Sequence, residues 1–179
     1  IYSIDGVTWA SAVLPASATW VSVAYGNGKF VAVSTGTTWA YSLDGIVWVS
    51  ITSPKASSNW KAIAYGNGRF VAVIENTDIS AYSVDGINWI RTTLPVSSTW
   101  SSITYGSGRF VMVGTNITSI YSFDGINWIS SAIPSGTWKC VSYGAGKFVA
   151  VGNGVASSSF VDSNVIQLPN IQNTLVRLK

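Results

Sequence analysis

Histidine is absent from the 179-residue sequence, and cysteine and charge are scarce. Without histidine, His-dependent catalytic triads, imidazole metal sites and imidazole pH switches are excluded. The single cysteine, Cys140, excludes an intrachain disulfide and a CxxC site. Ten basic and seven acidic residues give a net charge of +3, and the basic residues are scattered singly, so we expect no nucleic-acid partner. The composition thus excludes several classes of site before any motif is considered.

Long apolar runs are also missing, although the chain is 47% hydrophobic and 13% aromatic. No run reaches the length of a membrane-spanning helix, so we expect a soluble chain without membrane insertion. Such a composition can bury a core, which excludes disorder. The first residue is Ile rather than Met, and we expect the chain to begin inside a longer or processed polypeptide.

One phrase recurs four times: W-x-x-[IV]-x-Y-G-x-G-[KR]-F-V-x-V, followed by a variable stretch and, at a similar spacing, Y-S-x-D-G-x-x-W. The first half begins at four tryptophans about 40 residues apart, which are Trp20, Trp60, Trp100 and Trp138. The repeat predicts an all-β fold, a β-propeller of about four blades, each of four antiparallel strands A to D. We assign residues 1–168 to these repeats and residues 169–179 to a C-terminal extension.

Within a repeat, residues 60–91 illustrate the predicted strands. Strand A covers residues 60–65, B 70–74, C about 80–84 and D 87–91. Gly-x-Gly turns join A to B, and Asp-Gly is predicted to form a two-residue turn between C and D with both central residues at positive φ. The strands are apolar on both faces, which is typical of sheets covered by neighbours on both sides.

The phrases Ser-x-Asp-Gly-x-x-Trp resemble the Asp-box repeat of sialidase-like propellers, although one residue between Asp and Gly is missing. The full repeat resembles propeller repeats of bacteriophage tail-fibre and virion proteins and of some bacterial surface proteins. The resemblance implies a non-catalytic virion module, extracellular, that recognises a host-surface glycan or protein or contacts other virion proteins. A secreted or cell-surface adhesin or lectin, a sialidase-like hydrolase and a purely architectural spacer are the alternatives.

Acidic side chains decide between binding and catalysis. Four aspartates lie in the repeated turns, where a carboxylate caps backbone amides, so we predict a structural role for them: Asp5, Asp44, Asp85 and Asp124. Glu75 and Asp78 are then the free carboxylates, in one loop, whereas a glycosidase needs two facing each other across a sugar. We therefore expect no catalytic residue, no metal and no cofactor.

A basic residue recurs once per repeat, on the end of the blade that carries the Asp turns. The four are Lys29, Arg69, Arg109 and Lys147. They could form an anion-binding ring, or each could contact a nearby Asp turn through an ion pair or a carbonyl group.

The opposite end of each blade carries the B–C and D–A loops, which vary between repeats, and we place recognition there. The D–A loops are predicted at residues 10–19, 50–59, 92–99 and 130–137. Trp39 lies outside both framework Trp positions and is the candidate stacking platform, or it fills a gap between blades. Glu75, Asp78 and Asn116 are candidate hydrogen-bonding partners.

Two expectations concern the ends of the chain. Residues 2–9 carry a C–D phrase without a preceding A–B phrase, so they could complete the last blade by pairing with strand B at residues 148–151, or belong to a longer propeller. The apolar residues of the 169–179 extension are expected to dock on a neighbouring subunit or a second protein, which would make the chain a homo-oligomer or part of an assembly.

Overall fold

The computed structural model describes residues 1–56, 58–115 and 118–153, together with the backbone of Ser157–Ser158. The strands are β1 (Trp20–Gly26), β2 (Lys29–Ser34), β3 (Thr38–Ser42), β4 (Val49–Thr52), β5 (Trp60–Gly66), β6 (Arg69–Ile74), β7 (Thr77–Ser83), β8 (Ile90–Gly106), β9 (Arg109–Thr115), β10 (Thr118–Ser122), β11 (Ile129–Ala132), β12 (Thr137–Gly144), β13 (Lys147–Asn153) and β14 (Ser157–Ser158). The predicted all-β, antiparallel fold is confirmed. In the described part of the chain, no helix is long and apolar enough to cross a membrane.

The strands form successive repeat units with the order A, B, C, D. Unit 1 is the sheet β1-β2-β3-β4, unit 2 is β5-β6-β7 with the first half of β8, and unit 3 is the second half of β8 with β9-β10-β11. Unit 4 contains β12, β13 and β14. Strand β8 runs without a break from unit 2 into unit 3, so residues 92–99, predicted as a loop, are part of a strand.

The two repeated turns differ in how they bend the chain. Each A–B turn has both central residues at positive φ, as at Asn67 and Gly68, a conformation that asparagine and glycine adopt at little cost. In the C–D turns only the glycine has positive φ, as at Gly86. The prediction of positive φ at both Asp and Gly is therefore wrong. Strand D also begins at Ile90 rather than at residue 87, because the turn is held by side chains instead of ladder hydrogen bonds.

The core consists of apolar layers, each packed between two successive units. Between units 1 and 2, Val31 and Val33 of β2 belong to the same buried apolar cluster as Trp60 and Ile63 of β5. Similar layers lie between units 2 and 3 and between units 3 and 4. The B strands β6 and β9 are buried on both faces. Each sheet is thus stabilised by its neighbours rather than by a core of its own.

Glycine at the end of strand A gives the units their close approach. Gly26, Gly66 and Gly106 each lie against a tyrosine ring of the next unit, and a Cβ on any of them would overlap that ring. The three rings are those of Tyr65, Tyr105 and Tyr143. The Tyr-Gly pair of the repeat is therefore a contact between units.

The expected closure by residues 2–9 is not formed. Tyr2 pairs with Ala10, so this segment folds back on itself. The edge of β13 pairs instead with Ser157–Ser158, with Val149 opposite Ser158. The extension at residues 169–179 and its boundary with the repeats lie outside the described residues.

Candidate functional site

Each of the four turn aspartates closes its own C–D turn. In the turn of unit 2, Asp85 Oδ1 accepts hydrogen bonds from Ser83 Oγ (2.9 Å) and from the backbone amides of Ile87 and Asn88 (both 2.8 Å). Asp5, Asp44 and Asp124 accept the equivalent three bonds. These carboxylates are thus committed to the framework.

The same hydrogen bonds lower the pKa of these carboxyl groups. For Asp5 and Asp44 the backbone amides are the main cause, followed by the serine hydroxyl. For Asp85 and Asp124 burial raises the pKa, but hydrogen bonds from the Asn side chain and the backbone outweigh it, so the pKa still falls below its ordinary value. The folded state therefore binds protons less readily than the unfolded state.

This difference predicts acid sensitivity. Carboxyl groups of the unfolded chain titrate near pKa 4 and those of the folded turns titrate lower, so their stabilising effect is present above about pH 4 and is lost as the pH falls further. We expect the melting temperature to fall between about pH 5 and about pH 2, and the slope to be shallower in Asp85→Asn. Thr52→Ala, which changes an exposed uncharged residue outside the turns, should keep the parent slope. Equal slopes in Asp85→Asn and the parent would contradict the assignment.

Two of the four repeated basic residues contact the turn of the following unit. Lys29 Nζ donates to the Asp85 carbonyl oxygen at 2.8 Å, and Arg69 Nη1 donates to the Asp124 carbonyl oxygen at 2.9 Å. The guanidinium of Arg109 lies 5.3 Å from the ring centroid of Phe123. Of the two roles considered for this position, the carbonyl contact is formed at Lys29 and Arg69, and it joins neighbouring units.

Trp39 is fully buried, so no ligand can stack on it. Its ring makes edge contacts with Trp60, at a centroid distance of 4.7 Å, and with Trp89, at 4.8 Å. The stacking role predicted for Trp39 is therefore corrected to the alternative, a gap-filling core residue. The aligned residues Ser80 and Ser119 are also fully buried, so this position faces the interior in every one of these repeats.

The other predicted ligand residues do not form a common site with Trp39. Glu75 lies in the two-residue turn between β6 and β7 and pairs with Lys61 at 3.6 Å. Asp78 is exposed on β7. Asn116 lies outside the described residues. Among the described residues, no group of three His, Cys, Asp or Glu could hold a metal ion.

An open groove of about 550 Å³ lies between units 2 and 3. One wall is the D strand of unit 2, and the other is the segment that follows the Asp124 turn of unit 3. The lining residues are Thr92, Thr93, Leu94, Pro95, Ile126, Asn127 and Trp128. Thr92 Oγ1 donates to the Ile126 carbonyl oxygen at 3.4 Å and links the two walls.

Trp128 departs from the pattern of its equivalents. Trp48 and Trp89 donate through Nε1 to the carbonyl oxygens of Gly45 and Gly86, whereas the buried Nε1 of Trp128 has no hydrogen-bond partner among the described residues. From the sequence, one wall of the groove, residues 92–95, is predicted to be part of a variable loop, whereas the other wall belongs to the repeated Asp-Gly-x-x-Trp phrase and is predicted to be structural. The groove was therefore missed, because it exists only where two units meet.

Comparison with known proteins supports the fold. No family model and no curated protein matches the sequence. The designed protein Ika4 superposes with a TM-score of 0.66 and 9% identity over 87% of this chain and 100% of its own. Virginiamycin B lyase from Staphylococcus aureus superposes with a TM-score of 0.68 and 13% identity. The designed protein Ika8 superposes with a TM-score of 0.60 and 10% identity. This chain spans 59% of the lyase chain and 45% of the Ika8 chain.

The strand arrangement is that of β-propeller proteins. The A strands of successive units contact one another: β1 contacts β5, β5 contacts β8, and β8 contacts β12. The D strands form the opposite edge of the units, the rim, and the groove opens at this rim between units 2 and 3. The compared propellers include an enzyme and designed proteins, so the fold alone does not determine the function.

Proposed function

We propose that the chain supplies four blades of a propeller that acts as a non-catalytic recognition module of a phage virion fibre or tail protein. Its ligand is a neutral host-surface glycan, bound at the rim groove between units 2 and 3. The observation that carries this proposal is the chemistry of the groove, which combines hydroxyl and amide groups with apolar surface.

The groove suits an uncharged sugar. Of its seven lining residues none is charged. Thr93 and Asn127 are exposed and can hydrogen-bond sugar hydroxyls, while the exposed ring of Pro95 offers an apolar surface to a pyranose face. An acidic sugar such as a sialic acid would find no cation among these residues.

The state of the carboxylates supports binding rather than hydrolysis. Hydrolysis of a glycoside uses two carboxyl groups, one of them with a raised pKa that acts as the acid. Here the four turn aspartates have lowered pKa values and serve as hydrogen-bond acceptors for their own turns. Glu75 is paired with Lys61.

The virion setting is supported by the repeat itself. The phrase Tyr-Gly-x-Gly-[Lys/Arg]-Phe-Val-x-Val with Tyr-Ser-x-Asp-Gly-x-x-Trp extends over most of the chain and resembles virion propeller repeats. A module outside the cell meets host glycans directly, which agrees with a sugar-binding groove. Contacts with other virion proteins remain compatible with this role.

The proposal predicts that blocking the groove abolishes glycan binding. Thr93→Trp places a large side chain in the groove and should weaken binding to neutral oligosaccharides on a glycan array by tenfold or more, a loss of about 1.4 kcal/mol. Thr52→Trp is the matched control, since Thr52 occupies the same exposed D-strand position of unit 1, outside the groove. Thr52→Trp should bind as the parent does.

Three results would overturn this proposal. The parent chain could bind no neutral glycan on the array, bind only acidic glycans, or bind equally well after Thr93→Trp. Release of reducing sugar from a bound glycan would contradict the non-catalytic role. Melting curves of both variants show whether each is folded, so that a loss of binding can be distinguished from unfolding.

A further inference from the structure

The units pack through one repeated pair of faces. The leading face of a unit carries the Tyr of strand A and the apolar residue two positions before it. The trailing face carries the Gly of strand A and two valines of strand B. Tyr65 packs over Gly26, Tyr105 over Gly66 and Tyr143 over Gly106.

Other contacts repeat with the same register. Ile63 N donates to Ser22 Oγ at 3.3 Å between units 1 and 2, and Val141 N donates to Ser102 Oγ at 3.2 Å between units 3 and 4. The apolar residues of the internal leading faces are buried; they are Ile63, Ile103 and Val141. The three internal junctions therefore share the tyrosine–glycine contact and a buried apolar residue, and two of them also share this hydrogen bond.

The first unit has a leading face that nothing described covers. Tyr25 is 58% exposed and Val23 is 57% exposed, although the aligned residues of the other units are buried or half-buried. Tyr25 contacts Phe30 of its own unit at a centroid distance of 4.7 Å. Tyr25 therefore makes the ring contact expected within its own sheet, but no described glycine of a preceding unit packs against it.

The last unit has the complementary trailing face. A Cβ on Gly144 would meet no atom of the described residues within 4 Å, whereas a Cβ on Gly26, Gly66 or Gly106 would overlap a tyrosine. Val149 and Val151 are exposed, although the aligned valines of β2, β6 and β9 are buried. The array thus begins with a tyrosine, Tyr25, against which no described glycine packs. It ends with a glycine, Gly144, against which no described tyrosine packs.

We propose that a second copy of this chain joins the two faces, so that Tyr25 of each copy packs over Gly144 of the other. The contact is heterologous, and two such contacts related by a two-fold axis close a ring. Each copy contributes four units. This inference does not depend on the glycan groove.

The two end faces of one chain do not contact each other in the described structure. Among the described residues, no atom lies near Gly144 where Tyr25 would have to be, and Tyr25 is exposed. A second copy presents both missing faces in the register of the internal junctions, so we favour it over closure within one chain.

The mass of the 179-residue chain in solution tests the proposal. Light scattering coupled to size exclusion should give twice the monomer mass of 19.0 kDa. Gly144→Val adds a side chain where Tyr25 of the other copy would pack, and it should yield a monomer with the parent circular-dichroism spectrum. Ile90→Ala changes a residue that is exposed within the internal unit 2 and so lies on neither end face, and this variant should remain a dimer.

A disulfide test reports the register directly. Cys140 is exposed and occupies the A-strand position of Ser22 and Ser102, whose hydroxyl groups contact the residue aligned with Val23. Val23→Cys should therefore form a disulfide with Cys140 of the other copy on oxidation, giving a dimer band on a non-reducing gel. The band should disappear in Val23→Cys with Cys140→Ser.

Each alternative has its own signature and would overturn the proposal. A monomeric parent chain excludes the dimer. A cross-link within one chain shows closure by its own ends. Assemblies larger than two copies show an open array, and a dimer unaffected by Gly144→Val shows that other surfaces hold it.

Discussion

Gly66→Ala is expected to destabilise the folded chain by about 3 kcal/mol, because overpacking a well-filled interface forces side chains and backbone to shift. The new methyl group would overlap the ring of Tyr105. That ring is held in turn by Phe110, at a centroid distance of 4.8 Å. Neither ring can move without disturbing the layer between units 2 and 3. Urea unfolding followed by tryptophan fluorescence measures the loss.

Gly36→Ala is the control for this substitution. A Cβ on Gly36 would lie 3.7 Å from Ser34 Oγ, an ordinary contact, and its φ is not in the left-handed region. The change in the free energy of unfolding should stay within about 0.5 kcal/mol. If Gly66→Ala is as stable as Gly36→Ala, the Tyr-Gly contact between units is not the close packing inferred for it.

Trp39→Ala is expected to cost about 3–5 kcal/mol, the range for removing a large aromatic side chain from a core. The indole is fully buried between Trp60 of strand A and Trp89, which directly precedes strand D, in unit 2. Its loss leaves a cavity at the junction of units 1 and 2. The midpoint of urea unfolding should fall accordingly, in contrast to the mild effect expected of a surface stacking platform.

Trp9→Ala provides the matched comparison, since Trp9 is 57% exposed. Its effect on the free energy of unfolding should be within about 0.5 kcal/mol. Equal stability of the two variants would show that Trp39 does not belong to the core. Loss of glycan binding by a stably folded Trp39→Ala variant would restore the recognition role first predicted for it.

Local features of the chain were predictable from the sequence alone. The Tyr-Gly-x-Gly phrase determines the A–B turn because its second glycine, as at Gly68, adopts positive φ at little steric cost and needs no distant partner to do so. The Ser-x-Asp-Gly phrase likewise places the hydroxyl and carboxylate that close the C–D turn within three residues of one another. The period of about 40 residues then predicts an all-β array, since each unit can bury its apolar faces only against another.

Contacts between units were decided by the tertiary structure. Trp39 is buried because Trp60 and Trp89, which belong to the next unit, enclose it, and no pattern within its own repeat reports that. The same holds for Lys29, whose partner is the Asp85 carbonyl oxygen of the next unit. The rim groove also arises from the angle at which successive units pack. Short-range turn geometry is encoded residue by residue, whereas this angle depends on how whole layers of side chains fit together.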